Sequence, residues 1–233
     1  MKHPVRIDVK HRYWIPTGGP QRLGTGKSQV PGYSEICAAM GVTRPNDFHT
    51  EQGRLEGKAL HVWLAFLVRG KVPDAPPPAS IAGRVEGIKK FIRDTSFVIT
   101  GGEKPVYDPA TNVACTPDLY GHVRLWTWVL DAKRGAKTKT HALQTACQSI
   151  NLNANEFRAQ KRGALYLRDG GYRLVEHDDR ADLTRWEAIA AGYHAMTPAE
   201  RAAFAVAVTV SDLPESDNHR ILENAFAARS FYL

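Results

Sequence analysis

Two carboxylates and a lysine have the types and spacing to hold a divalent cation and activate a water. Pro117-Asp118 is followed thirteen residues later by Asp131-Ala132-Lys133. The acid-x-Lys pattern alone carries little, because Asp8-Val9-Lys10 and Glu56-Gly57-Lys58 repeat it. Only the third copy ends an apolar strand and follows a second carboxylate on the preceding strand. That strand reads Leu125 to Lys133, and period-two alternation puts Asp131 and Lys133 on one face, with Trp126, Trp128 and Leu130 on the other. A hairpin can bring Asp118 beside Asp131. Adjacent carboxylates repel unless a cation lies between them, and an all-oxygen site suits Mg²⁺ or Mn²⁺. A lysine beside such an ion can orient or deprotonate the attacking water. The competing reading is a solvated hairpin with a surface salt bridge, and spacing leaves both open.

Gly24-Thr25-Gly26-Lys27-Ser28 ends like a phosphate-binding loop. That loop needs a glycine five positions before Gly26, where Gln21 stands, and no apolar strand precedes it. It is read as a flexible basic loop, with no nucleotide cofactor.

The elements that must position the candidate residues follow from periodicity. Residues 1–32, rich in Gly, Pro and basic side chains, are expected to form an irregular basic arm. Helices are expected over Ser34–Met40, Asp47–Arg69 and about Ser80–Asp94. The second carries a Leu60, Trp63, Leu64, Leu67 stripe, and the third Ile81, Val85, Ile88 and Ile92. The period then changes. Phe97–Ile99, Lys104–Tyr107, Val113–Val123 and Leu125–Lys133 read as strands, with a turn at Asp108–Asn112. A helix over about Thr140–Gln160 has Leu143, Cys147 and Ile150 on its apolar face. Ala164–Arg168 and Tyr172–Glu176 form a hairpin across Asp169-Gly170-Gly171. Thr197-Pro198-Ala199-Glu200 has the spacing of a capping box. The expected architecture is an α/β core with a mixed sheet over 33–177 and a helical C-terminal extension over 178–233.

Composition bounds the function. The chain has 233 residues, 43% hydrophobic and 24% charged, which excludes disordered, collagenous and toxin-like classes. A net charge of +7 makes a polyanion partner plausible. Lys133-Arg134-Gly135-Ala136-Lys137-Thr138-Lys139 directly follows the candidate site, and Arg158, Lys161 and Arg162 form a second basic group. Arg134, Lys137, Lys139, Arg158, Lys161 and Arg162 are the candidate phosphate contacts, against the alternative of a charged solvent face. Three cysteines, Cys37, Cys115 and Cys147, form no CxxC pair, which argues against a zinc ribbon or disulfide framework. Met1 to Arg6 has no apolar core for a signal peptide, and no wholly apolar run exceeds the seven residues of Ala202–Val208. A soluble, cytoplasmic protein with no membrane partner is expected.

The ordered set of motifs resembles the PD-(D/E)XK nuclease superfamily, most closely its RecB-like and phage-exonuclease-like branch. Gly57-Lys58-Ala59-Leu60-His61 matches that branch's G-x-x-x-H helix. Cys115-Thr116-Pro117-Asp118-Leu119 resembles its G-x-P-D strand, Val129-Leu130-Asp131-Ala132-Lys133 its D-x-K strand, and Gln144-Thr145-Ala146-Cys147-Gln148 its Q-x-x-x-Y helix. Glu103 lies where the family often has an acid. The resemblance covers roughly residues 30–178. It departs at Gln148, which replaces the tyrosine, and in lacking the four cysteines that bind an iron–sulfur cluster in some relatives. It implies a restriction-endonuclease-like core and a DNA nuclease, with an exonuclease favoured over an endonuclease of restriction or junction-resolving type. A reading from another class is a non-catalytic DNA-binding accessory protein of recombination. By the same resemblance, Asp118, Asp131 and the Ala132 carbonyl would hold one or two Mg²⁺ or Mn²⁺ ions, with no iron–sulfur cluster. His61 would complete the shell and Lys133 would assist the water. Glu103 would be an outer group, a ligand to a second ion or a strand-end charge, and Gln144 would hold the site or touch DNA. The implied partners are DNA and a recombination or single-strand-annealing protein. The implied setting is a bacterial or phage-infected cell, with the oligomeric state open.

Overall fold

The computed structural model describes residues 5–7, 12–16, 27–43, 50–135 and 137–201. Gly24–Gly26 of the basic loop, Asp47–His49 of the expected helix start, Ala136, and residues 202–233 of the expected extension lie outside them. The N-terminal segment departs from the expected irregular arm. It contains strands β1 (Arg6–Ile7), β2 (Tyr13–Pro16) and β3 (Lys27–Val30), which pair antiparallel in that order. Docking explains the order that glycine and proline content hides. Val30 is buried, the Pro31 carbonyl accepts the Ala114 N–H, and the Tyr13 hydroxyl meets Thr116 Oγ1 at 3.2 Å.

Helices α1 (Tyr33–Ala39), α2 (Glu51–Val68) and α3 (Ala79–Thr95) follow close to expectation. Thr50 caps α2 by accepting the Gly53 N–H. Then come β4 (Val98–Gly101), β5 (Val106–Asp108), β6 (Val113–Cys115), β7 (Leu119–Val123) and β8 (Trp126–Lys133). Helix α4 (Thr140–Ala154) is a turn and a half shorter than expected, and β9 (Lys161–Arg168), β10 (Gly171–Glu176) and α5 (Ala181–Ala195) complete the described elements. The capping box at Thr197 forms as read, with reciprocal Thr197 and Glu200 hydrogen bonds of 2.7 and 3.2 Å.

Strands β10-β9-β8-β7-β4 form one five-stranded sheet, antiparallel except for the parallel β8/β9 pair. This is the mixed α/β architecture expected, with helices on both faces. On one face, Leu60, Trp63 and Leu64 of α2 and Ile81, Val85, Ile88 and Phe91 of α3 pack on Leu119, Trp128, Leu130 and Leu165. On the other, Cys37 of α1, Cys147 of α4 and Trp186 of α5 pack with Val129 and the β5–β6 hairpin. Each fully buried Leu, Ile or Val adds ~1.5–3 kcal/mol relative to exposure. The Val113–Val123 segment is two strands in two different sheets. Pro117 cannot donate to a ladder, so pairing stops at Thr116-Pro117-Asp118 and the chain changes partner.

Candidate active site

The site forms at that break, beside the C-terminal end of β8. The Asp118 Oδ2 accepts the Ala132 N–H at 2.7 Å, so the side chain takes the place of a ladder bond. His61 projects from α2 toward the same point, with Nδ1 2.8 Å from Glu103 Oε1 and 3.7 Å from Asp118 Oδ1. Glu103 itself adopts a left-handed backbone, φ 49°, and its N–H bonds to the Pro117 carbonyl at 2.8 Å. A non-glycine residue costs roughly 1–2 kcal/mol there, which is strain stored at the cluster. Gly102 makes the approach possible, because a Cβ on it would lie 2.2 Å from the Asp118 carbonyl oxygen.

Asp131 is fully buried. Its Oδ1 accepts from Gln144 Nε2 and Gln148 Nε2, each at 2.9 Å, and its Oδ2 lies 2.5 Å from Lys133 Nζ. Lys133 Nζ also donates to Gln144 Oε1 at 2.9 Å. Gln148, where the family pattern has tyrosine, therefore holds the strand carboxylate together with Gln144, one turn earlier on α4. Sequence reasoning missed this. The available signal was a stripe of amides at Gln144, Gln148, Asn151 and Asn155 along one side of the helix. Asn151 and Asn155 bind the Val106, Val113 and Tyr107 carbonyls of the β5–β6 hairpin.

The ligand atoms of His61, Glu103 and Asp118 all lie within 4.8 Å of one another. Ligands around one octahedral ion at ~2.1 Å sit roughly 3–4 Å apart, so two carboxylates and an imidazole fit Mg²⁺ or Mn²⁺ after small shifts. Asp131 stands beside this group, tied to Lys133 and the two glutamines.

No family model and no curated protein matches the chain. Among solved structures it is similar to LHK-Exo in complex with dAMP. Sequence identity is 11% and the TM-score 0.35, covering 77% of this chain and 91% of that one.

The electrostatics follow from crowding three carboxylates. Burial, then the nearby Asp131 charge, pushes Asp118 up to about 7, against the pull of His61. The Asp118 charge, then the Glu103 hydrogen bond, raises His61 to about 9, although its side chain is 46% exposed. Burial pulls Lys133 down, but Asp131 and Asp118 outweigh it and the ammonium stays charged. Burial, then Lys133, lowers His141 to about 4, and its Nδ1 meets the Tyr166 hydroxyl at 2.7 Å.

The six basic candidates separate. Lys137 and Lys139 are exposed beside the site, while Arg134 bridges to Glu56 on α2 at 2.6 Å. The register pairs Lys133 with Tyr166 but Lys161 with Trp128. Five residues at ~3.3 Å put Lys161 about 16 Å down the sheet from Lys133. There Lys161 pairs with Glu176 at 2.7 Å, and Arg158 is exposed nearby. Arg162 is a correction. It is 6% exposed, pairs with Asp182 at 2.8 Å and donates to the Ala142 carbonyl at 2.8 Å, so its guanidinium is committed inside the fold rather than presented to a phosphate. The three cysteines, scattered in sequence, converge in one buried cluster. Among the described residues, no helix is long and apolar enough to cross a membrane.

Proposed function

We propose that this chain is a divalent-metal-dependent deoxyribonuclease that hydrolyses phosphodiester bonds, working from DNA ends. The observation that carries the reading is the convergence of His61, Glu103 and Asp118 beside a buried Asp131–Lys133 pair. His61, Glu103 and Asp118 would hold the ion, with Asp131 and the Ala132 carbonyl alongside. A divalent ion there would supply a more acidic water and neutralise charge on the scissile phosphate. Lys133 keeps its charge and is oriented by Asp131 and Gln144, as a donor for the phosphate oxygen where negative charge grows. Gln144 and Gln148 keep the Asp131 carboxylate from rotating, which preserves the site between turnovers.

The test is digestion of end-labelled linear duplex beside a covalently closed circle, in Mg²⁺, Mn²⁺ or EDTA. Linear DNA is degraded with either metal, the circle survives, and EDTA stops the reaction. Equal rates on both substrates would assign an endonuclease of restriction or junction-resolving type. DNA binding with no cleavage in any metal would leave the accessory role.

A further inference from the structure

The sheet face that carries Asp131 and Lys133 continues past the site. Lys133 on β8 pairs with Tyr166 on β9, and Tyr166 with Arg173 on β10. Paired residues point to the same side, so the three form a row across neighbouring strands, about 10 Å from end to end. Arg168, two positions after Tyr166, shares that face. The Arg173 guanidinium lies 5.9 Å from the centre of the Tyr166 ring. With Gly135 and Lys137 from the loop after β8, these residues line a cavity of about 260 Å³.

Among the described residues the lining is Gly135, Lys137, Tyr166, Leu167, Arg168 and Arg173, three cations with no carboxylate. Both arginines are exposed, and among the described residues none of the three cations has an acidic partner. At the other end of the sheet the pattern is reversed, with Lys161 paired to Glu176 and Arg162 to Asp182. Positive charge left uncompensated in a concave site is an anion site, and guanidinium forks match phosphate oxygens two at a time. The volume falls below the ~300–1,000 Å³ of pockets for drug-sized ligands, which suits a phosphate or one nucleotide.

We infer that this cavity is a second phosphate-binding subsite, in which Arg168, Arg173 and Lys137 take a DNA phosphate within a few nucleotides of the one beside Lys133. The inference rests on the nuclease reading for the identity of the polyanion. The phosphate belongs either to the strand interior or to a strand end, and the chemistry of the cavity is the same for both.

The experiment is equilibrium binding in EDTA, so that no cleavage is needed. Labelled oligonucleotides of one sequence, with 5′-hydroxyl, 5′-phosphate or 3′-phosphate ends, are titrated with wild type and Arg168→Ala/Arg173→Ala across a range of salt. The double variant binds more weakly, and its slope of log K against log salt is shallower by roughly 0.7 for each phosphate lost from a single strand. Lys89→Ala, on α3 and paired with Glu86, leaves both unchanged. An equal loss on all three oligonucleotides supports an interior phosphate, and a loss confined to one phosphorylated end supports a terminal one. Arg168→Lys/Arg173→Lys keeps the salt slope, which separates lost charge from misfolding. Wild-type affinity and slope in the double alanine variant, or an equal effect of Lys89→Ala, overturns the subsite, as does failure of wild type to bind any oligonucleotide. Normal binding behaviour with no cleavage in metal overturns only the nuclease reading.

Discussion

Asp118 sits in the carboxylate cluster at a cost to the fold. Burial and Asp131 raise its folded pKa above the ~3.9 of an unfolded aspartate. The folded state then binds the proton more tightly, so stability of the metal-free protein falls as pH rises from about 4 to 7. His61 acts in the same direction. Its raised pKa gives a stabilisation complete below its unfolded value of ~6.5 and lost as pH rises through about 9. In EDTA the protein is therefore expected to melt lower at pH 8 than at pH 5.5, and Asp118→Asn to melt higher than wild type at pH 8. Even 1 kcal/mol gives ~2–4 °C in a chain of this size. A wild-type pH slope retained in Asp118→Asn would assign the effect to other groups. Asp131 and Lys133 separate differently. Asp131→Ala removes an anion, so Mn²⁺ binding in calorimetry weakens and cleavage is lost. Lys133→Ala removes a cation, so Mn²⁺ affinity stays equal or improves slightly, while turnover falls by roughly 10²–10⁴. Full activity of Lys133→Ala would show that the lysine is only a salt-bridge partner. The shared face of Asp131 and Lys133 was legible because strand alternation is local and acts before any partner is known. Gln148 was not legible, since its role exists only once α4 crosses β8 and a buried carboxylate needs a second donor.

At the scale of elements, apolar stripes predicted α2 and α3 well because a helix face is a short-range pattern. The Val113–Val123 segment misled for the opposite reason. Its residues suit a strand on either side of Pro117, and only pairing reveals that β6 joins β5 while β7 joins β4 and β8. That switch leaves Asp118 free of a ladder and able to turn its carboxylate on the Ala132 N–H. Helix α4 was read as amphipathic, yet Leu143 and Ile150 are only half-buried and its buried side carries Thr145, Gln148, Ser149 and Asn151. Packed between the sheet, α5 and the β5–β6 hairpin, it binds backbone and site residues through those polar groups. Arg162 belongs to the same scaffold. It links β9 to the first turn of α4 through Ala142 and to α5 through Asp182. Arg162→Ala leaves Asp182 with the exposed Arg185 alone, at 3.0 Å, so denaturant titration is expected to show a loss of ~1–3 kcal/mol. Its slope of DNA affinity against salt stays that of wild type. A shallower slope with unchanged stability would return Arg162 to the DNA surface.

For the whole molecule, the net charge of +7 matters less than where it lies. Among the described residues, Lys137, Arg168 and Arg173 stand without acidic partners at the end of the sheet that holds the carboxylate cluster, while Lys161 and Arg162 at the other end are neutralised. Under the nuclease reading, that uneven charge would steer DNA toward the site. Exposed charges of this kind are screened over ~10 Å at 0.1 M salt, whereas the fully buried Asp131 and its Lys133 partner feel salt much less. Capture and chemistry should therefore respond to salt differently. With DNA far below saturation, the cleavage rate reports capture, and four phosphate contacts on duplex would lower it roughly 10²-fold between 50 and 200 mM salt. With DNA saturating, the rate reports the step at Asp131 and Lys133 and changes little. The measurement is initial cleavage rate at two DNA concentrations across that salt range, in fixed Mn²⁺. Equal salt dependence at both concentrations would mean that salt acts on the metal cluster itself, and charge-guided capture would be discarded.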